Sequence, residues 1–112
     1  MAVESESETV DIRAFRGSRK ASVYRDHVLG EERFARVVAT AAEQGLTVLG
    51  SLDQHGPLGL DKAASMRLAE ELTQLRSSGA LVELDDDLVA IAELARWCAR
   101  AGEDAWLRIE GP

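Results

Sequence analysis

Apolar residues change their spacing several times along this chain, and each change predicts an element. Val10, Ile12 and Ala14 alternate with charged positions, Ala21, Val23 and Arg25 alternate against Ser22 and Tyr24, and Gly17-Ser18 lies between the two runs. A period of two sends successive side chains to opposite faces of a strand, so this stretch predicts a β-hairpin turning around Arg16 to Arg19. The period then lengthens. Gly30 precedes Glu31-Glu32, acids suited to a helix start, and Phe34, Val37, Val38 and Ala41 recur at helical spacing until Gly45. Leu46 to Leu52 is a short apolar run bounded by Gly45 and by Asp53-Gln54-His55-Gly56-Pro57, which predicts a buried strand followed by a turn.

Asp61 is placed to cap a second helix whose stripe is Ala64, Leu68, Leu72 and Leu75, ending at Ser77-Ser78-Gly79. Ala80 to Leu84 reads as a short extended segment. Asp85-Asp86-Asp87 then opens a third helix with Leu88, Ile91, Leu94, Ala95 and Cys98 on one face and Gly102 past its end. Alternation returns from Asp104 to Glu110, so the described order closes on a strand. The expected fold class is a small α/β (α+β) sandwich in the order β-β-α-β-α-(β)-α-β, an N-terminal hairpin followed by a mixed sheet with about three helices. Residues 1–8, with Glu4, Glu6 and Glu8 alternating with serine, have almost nothing to bury and read as a disordered acidic tail, leaving 9–112 as a single domain.

Composition changes this picture in three places. Apolar residues make up 46% of the chain, enough for one core, but only two tryptophans, two phenylalanines and one tyrosine are present, so aliphatic side chains must build it. Arginine supplies nearly all of the basic charge and asparagine is absent, a bias resembling that of proteins from GC-rich bacterial genomes. Net charge is −7, yet Arg13, Arg16, Arg19, Lys20 and Arg25 follow one another between Ile12 and Asp26 with no carboxylate among them. That segregation gives the surface a field able to orient a charged partner. No apolar run approaches the ~18 residues of a membrane span and the acidic start lacks the layout of a secretory signal, so the expected location is the cytoplasm, away from membranes. A lone cysteine, Cys98, fits a reducing compartment and allows neither an internal disulfide nor a cysteine-based zinc site.

Candidate chemistry is sparse. The three aspartates suit a hard cation by ligand type, but consecutive side chains at a helix start fan apart, and capping and the helix dipole already favour acids there. Neither a metal nor any cofactor is therefore expected. Asp53 and His55 follow the predicted strand's carboxyl end, a common ligand position, although Asp, Gly and Pro are also ordinary turn residues. Cys98 sits on an apolar stripe, where a thiol is a small buried hydrophobe. Phosphate-cradling glycine loops, nucleophile elbows and the zinc-protease helix motif are missing. If the protein is an enzyme, its site would lie near Asp53 and His55; a catalytic role is not the expected one.

The sheet's second face is the more informative candidate. If helices cover the face carrying Val10, Ile12, Val23, Val48, Leu107 and Ile109, alternation sends Arg13, Phe15, Tyr24, Trp106 and Arg108 to the other. Aromatic residues and arginine are the side chains most enriched at binding hot spots. With Arg16 and Arg19 of the hairpin turn, these residues form the expected binding set. The function they imply is that of a small acidic, non-enzymatic protein-binding module, an adaptor, regulator or immunity-type inhibitor, which contacts a protein partner or itself. The alternative is a nucleic-acid-binding protein stacking bases on Phe15, Tyr24 and Trp106, against which the net charge of −7 counts.

Overall fold

The computed structural model describes residues 9–17, 26–52 and 58–111. Its strands are β1 (Thr9–Arg16), β2 (Asp26–Gly30), β3 (Leu58–Leu60) and β4 (Ala105–Glu110). Its helices are α1 (Glu31–Glu43), the single turn α2 (Thr47–Gly50), α3 (Lys62–Ser78) and α4 (Asp85–Ala101). The fold class is mixed α/β, as the changing periodicity implies: one four-stranded sheet in the order β2-β1-β4-β3, with helices packed against it.

Alternation decides which face those helices cover. Val10, Ile12 and Ala14 of β1, Leu29 of β2, and Ala105, Leu107 and Ile109 of β4 are all buried in one apolar cluster, and the register places Ile12 beside Ile109 and Ala14 beside Leu107. The same cluster takes Leu68, Leu72 and Leu75 from α3, Leu88, Ile91 and Leu94 from α4, and Phe34, Val37 and Ala41 from α1. The helical stripes legible in the sequence are thus the faces laid on the sheet. Asp61 caps α3 as its position implies, accepting a hydrogen bond from the Ala64 amide at 2.9 Å.

Two local readings require correction. Leu46 to Leu52 is not a strand: its centre is the α2 turn, so Val48 lies outside the sheet face assigned to it. Two contacts made outside the run decide this. The buried Glu71 carboxylate of α3 accepts the Val48 amide at 3.2 Å and the Leu49 amide at 2.7 Å, satisfying donors at the start of the turn. Gly50 also approaches α1 so closely that a Cβ there would stand 2.8 Å from the Ala42 Cα. The sheet strand in this region is Leu58–Leu60, just past the expected turn, and it pairs with β4. All pairings between described strands are antiparallel, where a mixed sheet is the expectation from sequence.

Ala80 to Leu84 is likewise not extended; it is a turn running into a 3-10 segment at Val82–Leu84 that leads directly into α4. Leu81 and Leu84 are buried there at a spacing of three, which suits a 3-10 turn and not a strand. In the hairpin, the strand expected over Ala21 to Arg25 lies outside the described residues, and the strand found pairing with β1 is Asp26–Gly30, from Thr9 opposite Gly30 to Arg13 opposite Asp26.

Candidate functional site

Helices occupy one face of the sheet, and beyond the Thr9–Gly30 pair the register builds the other in three rows. The first holds Val28, Asp11 and Glu110; the second holds Asp26, Arg13, Arg108 and Gly59; the third holds Phe15 and Trp106. Arg13, Phe15, Trp106 and Arg108 are therefore brought together on the open face, as alternation alone implies. Arg16 is not among them. It has the opposite parity and sits at the sheet's end, its Nε 3.6 Å from Asp104 Oδ1. Arg19 and Tyr24 lie outside the described residues, as do Asp53 and His55.

Phe15 is only 3% exposed although it belongs to the open face and stands apart from the main apolar cluster. Trp106 stacks against it, ring centroids 4.9 Å apart and planes inclined by 23°, an arrangement worth ~0.5–1.5 kcal/mol beyond the area it buries. The indole is held at both ends. Its Nε1–H donates to the Gly17 carbonyl at 3.0 Å, and its six-membered ring lies over Gly59, where an added Cβ would be 3.5 Å away. Gly17 itself has φ 60, a conformation that favours glycine, and its amide donates to the Asp104 carbonyl at 2.8 Å. Trp106 thus fastens the end of β1 to β4.

The arginines of this face are already partnered. Arg13 lies 3.4 Å from Asp11 and 3.6 Å from Asp26, and Arg108 donates to Glu110 at 3.0 Å. These carboxylates were not among the residues singled out from sequence. Asp11 and Glu110 stand two positions from an arginine on the same strand and could have been found by that spacing; Asp26 depends on the hairpin register. Val28, 51% exposed, is the apolar member of the first row.

The acidic helix start is divided among neighbours. Asp85 accepts from Arg76 Nε at 2.7 Å and Nη2 at 3.1 Å, and this hydrogen bonding holds its carboxyl below the usual range while raising the guanidinium. Glu83 is lowered in the same way by Arg36, at 2.7 Å. Asp87 meets His27 Nε2 at 2.8 Å and Arg33 at 3.2 Å, so one carboxylate ties β2, α1 and α4 together. Among the described residues, no group of three or more His, Cys, Asp or Glu is placed to hold a metal ion. Burial pushes the Cys98 thiol up to about 12, with the Ser65 hydrogen bond opposing the shift, so the thiolate needed for nucleophilic attack is suppressed.

On the outer side of the helices, an open groove of about 270 Å³ runs between α3 and α4, lined by Met66, Ala69, Thr73, Arg96 and Arg100. Arg96 there donates to the Thr73 hydroxyl at 3.1 Å. No helix in the described residues is long and apolar enough to cross a membrane. Comparison with protein-family models, curated proteins and solved structures found no match for this chain.

Proposed function

We propose that this chain is a protein-binding module of the cytoplasm that engages its partner through the open sheet face, without catalysing a reaction. The observation that carries the reading is the juxtaposition of the Phe15–Trp106 stack with Arg13 and Arg108 on a face that the described helices leave uncovered. Aromatic and arginine side chains fixed on rigid strands lose little conformational entropy on binding, which is why such groups dominate interface energetics. Charge supports a protein over a nucleic acid as the occupant. The described face carries Asp11, Asp26 and Glu110 against Arg13 and Arg108, and a phosphate would have to displace carboxylates already paired with both arginines. Phe15 is also covered by Trp106, which leaves the tryptophan as the accessible aromatic surface.

Two assays on the purified chain decide between these classes. Affinity capture from host lysate with wild-type and Trp106→Ala bait is expected to retain a protein on wild type alone. Titration with single-stranded oligonucleotides over a range of salt is expected to show no tight binding. Tight, salt-sensitive binding that disappears in Arg13→Glu/Arg108→Glu would replace the proposal with the nucleic-acid reading.

A further inference from the structure

We propose that the occupant of the open face is a second copy of this chain, packed face to face about a two-fold axis that crosses the strands between the Asp11–Glu110 row and the Arg13–Arg108 row. The inference rests on the protein-binding reading and narrows it to one partner.

The order of charges carries the argument. Along each strand the sign changes at a step of two residues, from Asp11 to Arg13 on β1 and from Arg108 to Glu110 on β4. Across the two strands like stands beside like, with Asp11 opposite Glu110 and Arg13 opposite Arg108. Like charges directly opposite one another destabilise a sheet, and within one chain the Arg13–Asp11, Arg13–Asp26 and Arg108–Glu110 pairs offset that. The same order is also complementary to itself across a two-fold axis. A two-fold axis running across the strands reverses strand direction and keeps lateral order, so β1 lies over β1 of the copy and β4 over β4. Asp11 then faces the copy's Arg13, and Glu110 faces the copy's Arg108.

An axis along the strands would instead exchange β1 with β4 and set Arg13 over Arg108 and Asp11 over Glu110, which repels. The charge order therefore selects one of the two orientations. The near balance of three acids and two arginines lets the face approach its copy although the whole chain carries −7. Strand spacing and rise give the four-stranded face dimensions of roughly 19 by 17 Å, less than the ~800 Å² per partner of a standard interface. The expected dimer is accordingly weak, with dissociation at roughly 100 µM.

Sedimentation equilibrium from roughly 10 µM to 1 mM tests this directly. Wild type should pass from monomer to dimer, and added salt should shift the transition to higher concentration. Asp11→Arg/Glu110→Arg makes both rows basic and Arg13→Glu/Arg108→Glu makes them acidic; each variant alone should associate at least tenfold more weakly. An equimolar mixture of the two should associate again. If either variant fails to fold, as judged by circular dichroism, the salt shift of wild type is the remaining test, and a transition indifferent to salt would overturn the proposal. Wild type that stays monomeric throughout, or charge-reversed variants that associate as well as wild type, would overturn it too. A monomeric wild type whose captured protein is lost in Trp106→Ala would sink the homodimer alone, whereas oligonucleotide binding at this face would sink the protein-binding reading with it.

Discussion

Glu71 shows how much one buried side chain can determine. Its two oxygens take the amides of Val48 and Leu49, so both hydrogen bonds of the α2 start depend on a carboxylate supplied from α3. Removing the acceptor leaves two donors without their partner, and an unsatisfied buried group costs ~1–3 kcal/mol. Glu71→Ala should lower the unfolding free energy measured in urea by an amount in that range, and Glu71→Gln, which keeps one acceptor oxygen, should lose less. Equal stability of all three proteins would remove Glu71 from this role. Cys98 illustrates the opposite case, a reactive residue type made inert by its setting: the stripe that places it among Leu94 and Ala95 also raises its thiol to about 12.

At the scale of elements, the contact between α1 and α2 is set by the absence of one methyl group. A Cβ on Gly50 would meet Ala42 backbone atoms at 2.8 and 2.9 Å, and those atoms belong to a helix that cannot yield locally. Alanine is the better helix former by up to ~1 kcal/mol, but forced overpacking costs ~1–3 kcal/mol. Gly50→Ala should therefore destabilise the protein in urea; a stabilised variant would show that α2 shifts freely. The same contact explains which elements were legible in the sequence. Long stripes such as Leu68-Leu72-Leu75 identify helices by period alone, and the alternation of Ile12 with Arg13 and of Leu107 with Arg108 assigns the sheet's two faces. Leu46 to Leu52 is too short for period to separate strand from helix, and what decides it is Glu71, remote in sequence, with the close approach of Gly50 to Ala42. The open face was legible to the same extent. Parity put Arg13, Phe15, Trp106 and Arg108 together, but parity cannot supply the register that sets Asp26 beside Arg13 or Arg13 beside Arg108.

For the whole molecule, acid is the informative perturbation. Asp85 and Glu83 are held below their usual range by hydrogen bonds from Arg76 and Arg36, and they join α3 to α4 and α1 to the 3-10 segment. A carboxyl lowered in the folded state contributes stability that is present above its unfolded value and lost as pH falls through its folded value. Stability should thus fall across the acidic range, and Arg76→Met, which releases Asp85, should show a smaller fall between about pH 5 and pH 2. Both groups are exposed, so the difference is expected to be modest. Chemical denaturation at several pH values reads it; a steeper fall in the variant would reverse the assignment.

The neighbours at the centre of the sheet are β1 and β4, and β3 reaches the sheet through β4. During synthesis, therefore, β1 emerges before β4, separated from it by the four helices α1 to α4, and must wait for it before its second edge is paired. Until then the nascent chain can form the β1–β2 hairpin, while the Val10, Ile12 and Ala14 face has no complete sheet on which α3 and α4 can settle. Local helices can precede the fold, but its central pairing is a late and long-range event, the kind of closure that slows folding. A ribosome-bound chain stopped before Ala105 would leave that edge open to other strands, which makes pairing with β4 the step that ends β1's exposure to misassembly.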